Sequence, residues 1–523
     1  MSEPIVRSEA LGGPPLTRAV LHGQATGWVP AAPRTSAEWK QRAAAIGERF
    51  AGSEWLRLLH SALAPSGAAA ERLERVAGHR GVLVTTGQQP GLFGGPIYTW
   101  SKALSALALA DAIEEATGTP TAPLFWAATD DSDVAEASST VVAVPGGIEV
   151  LELPRGDASG ERMLATVPLP DVSSLVGVLT RGAGAAVHAD VLDVARRCYA
   201  PGTTIGGAYV ALLRAVLEPL GVAVLDAAHG AVATAMQSLL REALVGADRI
   251  AAAVSARDGE IRGRGYEPQV HAVPGLSLVF RRHEGARTRV SITAAPDIAS
   301  RPDALGPNVL LRPVAESVIL PTIAYAAGPA ELAYFAQSAA VADALDRPAP
   351  LAVPRWSGTI LEPHVLRILE RYALTPDALA DPHAAEAALA RAELPRAMST
   401  SLDAFRGEID ELAARLRRTD DSDAAQLLPD AVIEGHRRAL LHRVERLERR
   451  ALAAIKRRQS DVARDLATAR GALHPRGVRQ ERALNLLPLL ARHGPVLLDR
   501  MRARAREHAD ALVEGGRALV TAR

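Results

Sequence analysis

One stretch constrains this chain more than any other. Gly81-Val-Leu-Val-Thr-Thr86 is a short β-branched run, and Gly87-Gln-Gln-Pro-Gly-Leu-Phe-Gly-Gly-Pro96 follows it as a glycine-rich loop. The β-branched run reads as a buried strand. Ile97 to about Ala116 reads as a helix with Leu104, Leu107, Leu109 and Ile113 as its apolar stripe. Gly118 and Pro120 close that helix, and Ala122-Pro-Leu-Phe-Trp-Ala-Ala128 reads as a second strand. Strand, tight glycine loop, helix and strand make a βαβ unit, which implies parallel strands in a doubly wound α/β sheet.

At 523 residues and 55.0 kDa the chain is too long for one small domain, so two or three structural units are expected. Hydrophobic residues at 48% and charged residues at 23% exclude wholesale disorder. The 59 basic and 59 acidic residues cancel, which disfavours a protein that wraps nucleic acid over a large area. The single cysteine, Cys198, excludes an intramolecular disulfide framework and a cysteine-built metal site. The first residues carry an early acid and no apolar core of a signal peptide, and no run of apolar residues is long enough to span a bilayer. A soluble protein of the reducing cytoplasm is the expectation.

Lysine is scarce: Lys40, Lys102 and Lys456 are the only three among the 59 basic residues. A lysine kept in an arginine-rich chain marks a place where a compact ammonium suits and a planar guanidinium does not. Lys102 stands out because it falls in the helix after the glycine loop, one turn beyond Tyr98 and on the same face.

Along the chain, residues 1–80 read as a helical amino-terminal region and 81–395 as the α/β core. Connecting inserts are expected at about 145–200 and 232–315. Further core strands are expected at Gly221–Asp226, Thr322–Ala327 and Leu351–Val353, and β-like alternation over 255–320. From 396 to 470 the periodicity is heptad-like. Leu402, Phe405, Ile409, Leu412 and Leu416 alternate steps of three and four, and so do Leu440, Val444, Leu447, Ala451 and Ala454 after an acidic break from Asp420 to Pro429. This predicts an antiparallel coiled-coil hairpin, with an ordinary amphipathic helix pair as the plainer alternative. Residues 471–523 read as a helical return to the core.

Five clusters could carry chemistry. In the glycine loop, Gly87, Gly91, Gly94 and Gly95 would let backbone N–H groups approach an anion at the start of a helix. Gln88, Gln89 and Tyr98 add polar contacts, Pro96 suits the first helical position, and Lys102 would add a cation. Past the second strand, Asp130, Asp131 and Asp133 could hold an amine, a sugar hydroxyl or Mg²⁺, or act as a base, although one of them is expected to cap the next helix. Gly328 opens a helix carrying Glu331, Tyr334, Phe335 and Gln337. Arg355 and Ser357 alternate in an extended segment, and Arg312 is a candidate clamp for a carboxylate or phosphate. No residue spacing for zinc, for a serine nucleophile elbow or for a metalloprotease helix is present.

Taken in order, Thr85–Lys102, Phe125–Asp133, LRPVAESVILPT, AGPAELAYFAQ, VPRWSGT and HPRGVRQERALNLLPLLARHGP resemble the blocks of the bacillithiol-biosynthesis cysteine-adding enzyme family. The likeness covers residues from about 80 to 500. It implies a Rossmann-like core with connecting inserts, a coiled-coil arm that supports a homodimer, and a ligase that joins the carboxyl group of L-cysteine to the amine of glucosaminyl malate. Forming the amide requires an activated carboxyl group, and a nucleotide-assisted ligation with ATP or ADP and Mg²⁺ fits the nucleotidyltransferase-like core, with the energy source left open. Two departures stand out: Asp130-Asp131-Ser132-Asp133 replaces the family's Glu-Asp-His-Asp, and Glu316 stands where the family usually has glutamine. A hydroxyl at 132 cannot act as a base near neutral pH. Two further readings are an amino-acid ligase or adenylate-forming enzyme with a different acceptor, and a non-catalytic nucleotide- or RNA-binding scaffold built on the coiled coil.

Overall fold

The computed structural model describes residues 3–154, 161–381, 383–418, 428–458 and 460–515. The side chain of Lys456 and most of the acidic break after Leu416 lie outside the described residues. The strands are β1 (Ile5–Ser8), β2 (Val82–Gln88), β3 (Thr121–Ala127), β4 (Ser139–Val144), β5 (Gly147–Glu152) and β6 (Ala223–Asp226). β7 (Leu276–His283), β8 (Ala286–Ser291), β9 (Ala304–Pro307), β10 (Thr322–Ala327), β11 (Ala352–Pro354) and β12 (Gly358–Leu361) follow.

Five strands form a parallel sheet in the order β11-β10-β2-β3-β6. The chain is Rossmann-like here, and the βαβ unit is present as β2, the Ile97–Thr117 helix and β3. Strands β3 and β10 are buried along their whole length, as expected for a parallel sheet covered on both faces. The crossover helix is buried on nearly every side, because it lies between the sheet and the Leu487–Gly515 helix. Gly118 ends it in the left-handed conformation, at φ 70°. Pro96 is the N-cap rather than the first helical residue.

From β2 the chain moves to β3 and β6 on one side, then returns to β10 and β11 on the other. Connections therefore leave in opposite directions between β2 and β10. That is the switch point where an open α/β sheet leaves a crevice at its carboxyl edge.

Several expectations change. The amino-terminal region is not purely helical, because β1 pairs antiparallel with β12, Ile5 facing Leu361. The β-like reading of 255–320 holds for β7, β8 and β9, which form a three-stranded sheet. It fails for the Ala247–Gly263 and Arg312–Ile319 helices, whose apolar residues pack at helical spacing. By its contacts the chain divides into one unit of Met1–Val142, Glu149–Glu362 and Gln480–Arg523, and a second of Ala143–Ile148 and Pro363–Arg479. The main segment of the second unit thus begins at Pro363 and not at 396. Its Pro363–Arg371 helix packs on the Ser460–Leu473 helix, and Tyr372 Oη donates to Asp465 at 2.9 Å.

Within the second unit, the Arg396–Arg417 and Asp430–Arg458 helices pack along each other. Their seam differs from the predicted one. Ile409 and Val444 are buried in it, but their companions are Ala413, Ile433 and Leu452, while Phe405, Leu412, Leu416, Leu440 and Leu447 face outward. Ion pairs bridge the two helices, with Arg437 Nε at 2.7 Å from Asp410 and Arg406 paired with Glu448. No helix among the described residues is long and apolar enough to cross a membrane.

Candidate active site

The carboxyl edge of the parallel sheet opens into a cavity of about 440 Å³. Gly87, Gln88 and Gln89 reach it from the end of β2, and Trp126, Ala128, Asp130 and Asp131 from the end of β3. Tyr325, Gly328, Glu331 and Tyr334 reach it from β10 and the helix after it. The glutamine pair, the aspartates and the Gly328 helix start, far apart in sequence, therefore share one cavity wall with Tyr98, Lys102, Arg312 and Arg355.

Lys102 is not a free cation awaiting an anion. It is 5% exposed, and its Nζ donates to the Gly87 carbonyl at 2.7 Å and to Gln88 Oε1 at 2.9 Å, and pairs with Glu331 Oε2 at 2.8 Å. Three acceptors arranged around one nitrogen suit a tetrahedral ammonium better than a planar fork. Burial pulls the Lys102 pKa down, and the adjacent Glu331 opposes that pull. Glu331 also accepts from the Gly328 N–H at 2.6 Å and from Tyr325 Oη at 2.6 Å. Burial alone would raise its pKa, but the Lys102 ammonium and these donors hold it below the ordinary value.

A second pair lies alongside. Arg312 reaches Glu316 at 2.7 Å and donates to Tyr325 Oη at 3.3 Å and Tyr334 Oη at 3.1 Å. Tyr325 therefore joins the two pairs, accepting from Arg312 and donating to Glu331. Burial pushes Glu316 up, against the pull of Arg312.

The aspartates do other work than expected. Asp130 is buried and takes Arg282 of β7 at 2.6 Å, and Asp131 takes Arg287 of β8, Gln89 and the Ser132 N–H. They anchor the inserted sheet, which brings Phe280, Arg287 and Arg289 to the cavity. Asp133 lies off the wall, where its Oδ1 accepts the Glu136 N–H at 3.0 Å and caps the short Val134–Ala137 helix. Partial burial, with Asp133 and Asp131 nearby, pushes the Glu136 carboxyl up. Ser132 Oγ accepts from Arg287 Nε at 3.4 Å.

The remaining glycines of the loop are structural. Phe93, Gly94 and Gly95 run through positive φ of 51°, 85° and 72°, and a Cβ on Gly94 would lie 2.5 Å from the Trp100 ring. Gly91 packs on Gly95, with a Cβ at 2.7 Å from its Cα. None of Gly91, Gly94 and Gly95 lines the cavity. Behind them, Asn485 Nδ2 donates to the carbonyls of Phe93 at 2.9 Å and of Leu92 and Gly95 at 3.3 Å. Tyr199 Oη donates to the Gly91 carbonyl at 3.3 Å.

Ser357 and Gln337 also turn inward. Ser357 Oγ donates to Glu481 at 2.8 Å, and that carboxylate holds Arg355 through both oxygens at 2.9 Å. Gln337 is fully buried and bonds Asp258 and Val270, away from the cavity. Glu481, Arg482 and Asn485 carry no local signal of their own, although they lie in the HPRGVRQERALNLLPLLARHGP block. Nor were Phe280, Arg287 and Arg289, whose only local signal was arginine alternating along a strand.

Two of the three aspartates are committed to arginines and the third caps a helix, and among the described residues no three His, Cys, Asp or Glu converge on a metal position.

Residues 31–356 match the family model for the bacillithiol biosynthesis BshC N-terminal Rossmann-like domain, and 358–510 match the BshC C-terminal coiled-coil domain. Among similar proteins, the "Putative cysteine ligase BshC" of Solibacter usitatus is 32% identical over 442 residues, 81% of this chain and 82% of that one. The protein of the same name from Koribacter versatilis is 32% identical over 473 residues, 85% of each chain. That from Salinibacter ruber is 30% identical over 446 residues, 80% of each. The glycine-loop cavity, the inserted sheet and the helical hairpin are thus those of a chain that belongs to the BshC family of bacillithiol biosynthesis.

Proposed function

We propose that this protein is a cysteine ligase that forms an amide between the carboxyl group of L-cysteine and the amine of glucosaminyl malate, giving bacillithiol. The observation that carries the reading is the cavity. It sits at the switch point of the sheet, in a chain of this family, and its volume is within the roughly 300–1,000 Å³ usual for small-molecule sites. Two small reactants held there would react as if unimolecular. Gln88 and Tyr98, joined at 3.2 Å, offer polar contacts to the sugar hydroxyls. Lys102 and Arg312 are each answered by a carboxylate, so their part is to hold Gly87, Gln88, Tyr325 and Tyr334 in place on the cavity wall.

Amide formation requires an activated carboxyl group, and ATP is the expected source. Incubating the protein with L-cysteine, glucosaminyl malate and ATP should yield a product of the mass of bacillithiol. A product with another amine acceptor, and none with glucosaminyl malate, would replace this reading with that of a ligase of different acceptor. The free thiol of the product is consistent with a reducing cytoplasmic location.

The helical hairpin supports a homodimer. Phe405 at 58% and Leu447 at 60% exposure belong to an apolar stripe that a second copy would cover. Deleting 402–455 should convert a dimer, measured by analytical ultracentrifugation, into a monomer. An intact protein that is monomeric at micromolar concentration would end the idea.

A further inference from the structure

Most positive charge around the cavity is neutralised by the protein itself. Lys102 is answered by Glu331, Arg312 by Glu316, Arg355 by Glu481, Arg282 by Asp130 and Arg287 by Asp131. Two cavity-lining guanidiniums are left over. Among the described residues no carboxylate pairs with Arg289 or with Arg482. They come from unrelated places, Arg289 from β8 of the inserted sheet and Arg482 from the segment that returns after the helical hairpin.

Each is laid against an aromatic ring. Arg289 faces Phe280, its cross-strand partner, with its guanidinium carbon 5.4 Å from the ring centroid, and Arg287 shares that ring at 4.6 Å. Arg482 lies 5.9 Å from the ring centroid of Tyr98, whose face Arg355 also approaches at 5.9 Å. A ring restrains the planar group without consuming its N–H donors, so the donors stay available to a ligand. Burial, and then the like charge of Arg287, pull the Arg289 pKa down, which an incoming anion would reverse.

We propose that Arg289 and Arg482 set the acceptor specificity of this cavity by each receiving one carboxylate of a dianionic ligand, of which a malyl group is the simplest fit. This rests on the ligase reading for the identity of the acceptor. A monoanion would leave one guanidinium unanswered in a partly desolvated wall. A second carboxylate therefore adds a charge-assisted, bidentate contact that a neutral or singly charged analogue lacks.

The test is calorimetric titration at low ionic strength of the full-length protein and of Arg289→Gln, Arg289→Lys and Arg482→Gln. The probes are L-malate, L-lactate, which lacks the second carboxylate, and inorganic phosphate. The wild type should bind malate at least tenfold more tightly than lactate. Each glutamine variant should weaken malate about ten- to a hundredfold, toward the lactate value, and Arg289→Lys should fall between. Among the described residues neither side chain has a carboxylate partner, so the melting temperatures should stay near wild type. Equal affinity for malate and lactate in the wild type, or unchanged malate affinity in both glutamine variants, overturns the assignment. A loss confined to phosphate overturns it too, in favour of a phosphate subsite.

The ligation assay run in parallel separates the two ideas. Product formation with an unchanged KM for glucosaminyl malate in both glutamine variants sinks the specificity assignment and leaves the ligase reading intact. Arginine-dependent malate binding without ligation does the reverse.

Discussion

Replacing Lys102 by methionine keeps the apolar stem and removes only the ammonium. The structure places three acceptors on that nitrogen, at 2.7, 2.9 and 2.8 Å, and leaves Glu331 to the Gly328 N–H and Tyr325 once it is gone. Removing one member of a buried pair strands the other charge and costs about 3–5 kcal/mol. Lys102→Met should therefore lose that much against urea, whereas Lys102→Met with Glu331→Gln should recover part of it. The resulting coupling should be about 2 kcal/mol or more. Lys102→Arg should fall between, because a planar fork cannot meet all three acceptors at once.

A pH series adds a sign. Glu331 is held below the 4.5 usual for a glutamate, so its contribution is present above that pH and is lost as the pH falls through the folded value. Acidification below about 4.5 should destabilise the wild type more steeply than Glu331→Gln. A Lys102→Met variant within about 1 kcal/mol of wild type, with coupling under about 0.5 kcal/mol, would show that the ammonium is solvated and the reasoning wrong.

Other outcomes follow from the loop and its backing. Gly94→Ala forces a side chain into positive φ and into the Trp100 ring, so it should lower the melting temperature and cost at least the roughly 1–3 kcal/mol of backbone strain. Asn485→Ala leaves the carbonyls of Leu92, Phe93 and Gly95 without their shared donor, at about 1–3 kcal/mol. It should also weaken ligand binding, though Asn485 does not line the cavity, and Asn485→Asp should not rescue it, because a carboxylate cannot donate to carbonyls. Glu481→Ala strands Arg355, which is 1% exposed, and should be the most damaging of these changes in a thermal melt.

Much of the core was legible from local pattern. The β-branched run, glycine loop and long helix became β2, the 92–95 turn and the Ile97–Thr117 helix. The aspartates and the Gly328 turn fell at strand ends, where a parallel sheet opens. Period and turn chemistry act over a few residues, so they survive in any stretch that carries them. What the side chains do was less legible. Lys102 looked like an anion site and is the centre of an internal charge pair. Asp130 and Asp131 looked like a catalytic cluster and tether an inserted sheet.

The amino-acid sequence by itself determined which segments are strands, which loop turns tightly and where the sheet's carboxyl edge lies, because those depend on near neighbours. Only the tertiary structure decided which carboxylate each cavity arginine meets. Arg282 meets Asp130 across 152 positions, Arg355 meets Glu481 across 126 and Asn485 meets Phe93 across 392. A charge has no assigned partner until the chain folds, and at these separations no local pattern records which carboxylate will answer which guanidinium.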